Sequence, residues 1–226
     1  MSFFHQRINR GKIPDGFSLV EMLVVVGIIS ILSFLSLAAY TRIVRSVSLT
    51  TSTQMLSNAL DLARQTALTR DCIVEFRLYQ LPDYHAADTA PPTVYRAFQT
   101  FLITQNSTNA FTKISYLPNP GIISSNTAVT SLATIATVPG ASFTEGSAGS
   151  STPQVLPVYS THYIAIPFRF TPSGALSDAS NQLDGAKQWF LTLVLENDPP
   201  LANGLPKNYA TIQLDPFSGH VTVFRP

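Results

Sequence analysis

The chain has 226 residues, which suits one ordinary domain with an appendage or two small domains. Charged residues make up 12% and hydrophobic ones 45%, which excludes a disordered polyelectrolyte. With 14 basic against 13 acidic side chains, nothing resembles a nucleic-acid footprint. The single cysteine, Cys72, excludes an internal disulfide and a Cys-based zinc cage.

The first sixteen residues carry Arg7, Arg10 and Lys12 against Asp15, the charge pattern of a secretory n-region. The apolar run that follows, Phe17 to Tyr40, is 24 residues long and holds one ionisable side chain, Glu21. A secretory h-region is shorter and ends in a small-residue cleavage site, whereas here the small residue, Gly16, precedes the run. A helix of this length rises about 36 Å, enough to cross a hydrocarbon core of about 30 Å with some tilt. Ser30, Ser33 and Ser36 are then expected to return their hydroxyls to carbonyls one turn back. Arg42 and Arg45 flank the far end and compete with the leader's charges, so the positive-inside rule adds little about orientation.

Glu21 requires its own account, because a carboxylate inside a membrane helix costs a few kcal/mol and usually faces a partner or carries function. A cut after Gly16 makes Phe17 the first residue. Its new α-ammonium lies one turn from Glu21, where it can pair with the carboxylate of a neighbouring copy. The bland alternative is a protonated Glu21, or one that snorkels to the headgroups. Removal of residues 1–16 takes away three basic side chains and one acidic one, leaving the remaining side chains at −1.

The string Gly16-Phe17-Ser18-Leu19-Val20-Glu21, followed by an apolar helix, resembles the processing signal of type IV prepilins and type II secretion pseudopilins. The resemblance implies a cytoplasmic leader (1–16), cut after Gly16 by a membrane prepilin peptidase that also N-methylates Phe17. It also implies a helix (17–40) that sits in the inner membrane as a single pass and later packs with other pilin or pseudopilin subunits, Glu21 serving assembly. The C-terminal domain is then periplasmic.

From Thr41 to Arg70 there is no Pro or Gly, and Val44, Val47, Met55, Leu56, Ala59, Leu60, Ala63 and Ala67 form one apolar stripe. The helix is therefore expected to continue to about residue 69, its second half (41–69) the spine of a globular domain (70–226). Arg64 and Arg70 read best as a solvated helix face. Beyond residue 70 the period becomes two. Residues 72–80, 93–104, 163–170, 189–196, 210–215 and 220–225 read as strands, the last two joined by a hairpin in which Gly219 takes positive φ. The fold class is α+β, a long N-terminal helix on a mostly antiparallel sheet. Residues 140–153 read as a flexible loop, and GIISSN and SLATIATV as possible further strands. Between Ile114 and Phe168 only Glu145 is charged, which fits either a subunit interface or a hydroxyl-rich solvated surface.

Few groups in the sequence are spaced for chemistry. Asp83, His85 and Asp88 lack a fourth ligand and fit no zinc spacing, and Asp178, Asn181 and Asp184 depart from a calcium loop. His162 and His220 sit at strand starts, and Cys72 reads as a small core residue. No catalytic residue, cofactor or metal is assigned. The segments LDLARQTALTRDCIVEFRLY, FRFTPSGAL and ATIQLDPFSGHVTVFRP resemble H-type minor pseudopilins and the related pilus-assembly pilins, and more narrowly the set ARQTA, VEFRLY, YRAFQ, FRFTPSGAL, WFLTLV and VFRP is similar to the pilin-like family called Verru_Chthon cassette protein D. That resemblance, and a membrane helix free of the proline that often kinks major pilins, imply a minor component of a type IV pilus or type II secretion pseudopilus. The rival is a membrane-anchored periplasmic binding protein or enzyme that uses the N-terminal helix only as a tether.

Overall fold

A computed structural model describes residues 18–82, 93–105, 107–142, 144–147, 152–178, 183–196, 198–200 and 204–226; within these, the side chains of 35–39, 41–42, 141, 144–147 and 152–153 are not described. The chain divides into two compact units, residues 1–43 and 44–226. Helix α1 (Leu19–Arg70) supplies the described part of the first unit and the first element of the second. No proline interrupts its 52 residues, so the hydrogen-bond ladder has no missing donor. It ends where Asp71 turns left-handed (φ 49°) and the Cys72 N–H reaches back to the Ala67 carbonyl at 3.4 Å, the pattern of a Schellman stop.

Among the described residues thirteen strands follow: β1 (Ile73–Leu81), β2 (Val94–Thr104), β3 (Ser107–Ala110), β4 (Ser115–Tyr116), β5 (Gly121–Ile123), β6 (Val138–Pro139), β7 (Thr144–Ser147), β8 (Thr152–Pro153), β9 (Ile164–Phe170), β10 (Leu176–Ser177), β11 (Trp189–Leu195), β12 (Tyr209–Leu214) and β13 (Val221–Phe224). The main sheet runs β10-β9-β1-β2-β5-β11-β12-β13, with antiparallel pairing. An α+β architecture, a helix packed on an antiparallel sheet, is thus realised, and all six strands expected from the period-two segments form.

Alternation along β1 explains the layers. Val74, Phe76 and Leu78 join Leu56, Leu60, Ala63 and Ala67 of α1 in one core, while Glu75, Arg77 and Tyr79 point to the opposite face. Phe76 packs on Phe98 of β2 (centroids 5.4 Å apart) and on Phe168 of β9 (5.3 Å). Alanines at 63 and 67, both fully buried, leave room for these rings against the helix. The buried stripe of α1 begins at Leu49, not at Val44 or Val47, which are exposed; Ser48, Ser52 and Thr53 take the buried positions there. Ser48 and Thr53 manage this because their hydroxyls donate to the Pro118 and Leu49 carbonyls.

Part of SLATIATV is a 3-10 turn, Ser131–Thr134, instead of a strand. The Ser131 hydroxyl donates to the Gln188 carbonyl and accepts the Phe190 N–H, so the turn plugs onto β11 with Leu132 fully buried. Of residues 140–153, the described part comprises the turn Gly140–Ser142 and strands β7 and β8; residues 143 and 148–151 lie outside the described residues.

Candidate functional site

The start of α1 is organised by Ser18. Its hydroxyl oxygen accepts the Glu21 N–H at 3.2 Å and its carbonyl accepts the Met22 N–H at 3.1 Å, which satisfies donors that a helix start otherwise leaves open. Ser-x-x-Glu before an apolar run is a capping-box signature. That signal was present in the sequence and would have assigned Ser18 a role the motif reading passed over. Glu21 stands in the first turn, exposed, where the helix dipole favours a negative charge. Among the described residues its carboxylate has no hydrogen-bond or ion-pair partner. Gly16 and Phe17, the expected cleavage pair, lie outside the described residues.

Around Glu21 the helix is apolar on every side. Leu19, Val20, Met22, Leu23, Val24, Val25, Val26, Ile28, Ile29, Ile31, Leu32 and Phe34 are all exposed, from 42% at Val25 to 82% at Leu19. Such a surface has no stable place in water; it belongs in lipid or against other apolar helices. Ser30 donates to the Val26 carbonyl at 2.8 Å, so its hydroxyl is satisfied within the helix, as expected for a lipid-facing serine. Among the described residues no helix is long and apolar enough to cross a membrane. The described side chains run unbroken only from Ser18 to Phe34, whereas the span expected from Phe17 to Tyr40 includes residues 35–39, whose side chains are not described.

The other sequence candidates fall elsewhere. Asp83, His85, Asp88 and Asn181 lie outside the described residues. Asp184 accepts the Ala186 N–H at 2.9 Å and closes a turn, and among the described residues no three His, Cys, Asp or Glu side chains gather. His162 and His220 are exposed, and Cys72 is half-buried at the edge of the core. Arg64 and Arg70 are not simply solvated. The Arg64 Nε donates to the Ser218 carbonyl at 2.5 Å, tying the terminal hairpin to the helix, and the Arg70 guanidinium lies 5.0 Å from the Phe111 ring centroid.

On the sheet face away from α1, sequence reading missed a buried polar network. Glu75 accepts from Arg77 Nε at 2.7 Å and from Arg169 Nε at 2.8 Å. Gln154 accepts from Arg77 Nη1 at 2.6 Å and donates to Tyr79 Oη at 2.5 Å and Gln99 Oε1 at 2.9 Å. Glu75, Arg77 and Tyr79 alternate along β1, so the sequence showed their common face; it did not show that Gln154 would cover it.

Residues 15–37 match the prokaryotic N-terminal methylation motif. No curated protein matches the chain, and no solved structure does. The motif is that of type IV pilins and pseudopilins, a superfamily whose members are generally non-enzymatic structural subunits. It implies processing by prepilin peptidase, anchoring in the inner membrane before assembly, and assembly with pilins.

Proposed function

We propose that this chain is a pilin-like subunit, cleaved after Gly16, N-methylated on Phe17 and assembled as a minor component of a type IV pilus or type II secretion pseudopilus. The observation that carries the reading is the carboxylate of Glu21, without a partner among the described residues, in the first turn of an all-round apolar helix inside the matched motif. An isolated acid there is costly in lipid. A cut after Gly16 supplies the missing cation at the same depth, on a neighbouring copy.

The parts then divide into a leader (1–16), a membrane and filament-core helix (17–40), its amphipathic continuation (41–69) and a periplasmic domain (70–226). The bilayer stores the subunit, and lateral helix packing replaces lipid contacts when it leaves. Glu21 sets the register of that packing. The likeness to H-type minor pseudopilins and to Verru_Chthon cassette protein D, together with the absence of proline between Phe17 and Leu81, supports a minor role. No catalysis, cofactor or metal is assigned.

The test is the intact mass and N-terminal residue of the protein extracted from membranes. A chain beginning with methylated Phe17 is the expected result. Retention of Met1, or a cut beyond residue 40, overturns the proposal.

A further inference from the structure

In the unit formed by residues 44–226, a cavity of about 370 Å³ opens where β2, β4 and β5 meet the end of β11; its lining includes Arg96, Tyr116, Asn119, Ile122, Tyr159 and Glu196. The volume falls at the lower end of small-ligand sites. Its polar groups hold unused hydrogen-bonding capacity. Arg96 is 8% exposed and donates through Nη2 to Glu196 Oε1 at 2.8 Å; its Nε is closed off from solvent and has no partner among the described residues. The second oxygen of Glu196, the Asn119 amide and the Tyr116 hydroxyl make no hydrogen bond among the described residues, and Tyr116 and Asn119 are exposed at the mouth of the cavity.

The chemistry of the lining restricts what could fill it. Arg96 and Glu196 neutralise each other, so neither an anion nor a cation is favoured. A carboxylate oxygen accepts while an amide and a guanidinium donate, which suits a ligand whose groups each give and take a proton, as vicinal hydroxyls do. Tyr116, 40% exposed, Pro120 and Ile122 supply a flat apolar flank for the C–H face of a ring. An extended peptide fits less well. Strand β5 is already paired with β11 through Gly121–Ile123 and with β2 at Ile123, which leaves little free backbone for strand addition.

We propose that this cavity is a binding site for a neutral sugar ring, held by Arg96, Glu196 and Asn119 through its hydroxyl or acetamido groups and flanked by Tyr116. The Tyr116 phenol is already held above its ordinary pKa, first by burial and then by the neighbouring Tyr159, and so stays a neutral donor at physiological pH.

The experiment is saturation-transfer NMR on the full chain in a zwitterionic, sugar-free detergent, with N-acetylglucosamine and glucose as probes. Transfer to the ring protons of at least one sugar is expected, with millimolar affinity, weakened tenfold or more in Tyr116→Ala and Asn119→Ala. Tyr116→Phe keeps the ring and guards against misfolding; it should lose about threefold while Trp189 fluorescence stays native. Transfer to neither sugar, transfer undiminished in all three variants, displacement by acetate, or binding of a proline-rich peptide in place of sugar would each overturn the proposal.

Discussion

Glu75 and Arg77 are each about 3% exposed, and their energetics differ from those of a surface ion pair. Two guanidiniums share the carboxylate, and Arg77 also lies 3.8 Å from the Phe101 ring centroid. Removing one partner of a buried pair strands a charge, so Glu75→Ala should cost about 3–5 kcal/mol. Gln154→Ala removes a neutral hydrogen-bond partner shared by Arg77, Tyr79 and Gln99, at about 1–3 kcal/mol. Arg169→Ala should cost least, because its side chain is 26% exposed and water can replace it. Denaturant titration of the detergent-solubilised variants checks the ranking; an Arg169→Ala effect equal to that of Glu75→Ala would show that the network is not held chiefly by the inner pair.

Among the elements, the terminal hairpin shows most plainly how local chemistry sets structure. Gly219 sits at φ 62°, and an added Cβ would meet the Gly174 carbonyl and the Phe170 ring. Gly219→Ala should therefore destabilise by more than the roughly 1 kcal/mol gained where alanine fits, read as a lower melting temperature. Asp215 accepts from the Ser218 hydroxyl at 2.5 Å and from the Phe217 N–H at 3.2 Å, and these bonds, the hydroxyl's first, hold its carboxyl below the ordinary aspartate value. A lowered folded pKa means the contribution is present above the unfolded value, near 4, and lost as pH falls through the folded one. Carboxyl chemical shifts of Asp215 should thus titrate below those of a peptide aspartate, and Ser218→Ala should raise the midpoint. This hairpin was legible in the sequence because its turn residues and its period lie within one continuous segment, Tyr209 to Phe224. The 3-10 turn at Ser131 was not, since the groups that fix it, Gln188 and Phe190, lie nearly 60 residues away. For the same reason the spacing along β1 showed which residues share a face, and the cover by Gln154 stayed hidden. At the helix start the methylation motif and the capping box overlap at Ser18 and Glu21; both are local patterns, and the first was read from the sequence while the second was overlooked.

For the molecule as a whole, the proposed function requires one helix to be stable first among lipids and then among sister helices. Magnitudes separate this from a simple tether. A mid-helix carboxylate costs about 2.5–3.5 kcal/mol on insertion scales, less near the interface, so exchanging it for an aliphatic should leave membrane residence equal or better. If Glu21 is only tolerated, Glu21→Val changes nothing downstream. If it pairs with the ammonium of a neighbour, the variant is cleaved and N-methylated as before but loses that contact in every added subunit, and each 1.4 kcal/mol removed is tenfold in the assembly constant. The expected outcome is a mature mass shifted only by the substitution, undiminished protein in the membrane fraction, and at least a tenfold fall in protein co-purifying with sheared filaments or cross-linked to partner pilins. Unchanged co-assembly would leave the helix as an anchor and move the function to the domain that begins at Val44.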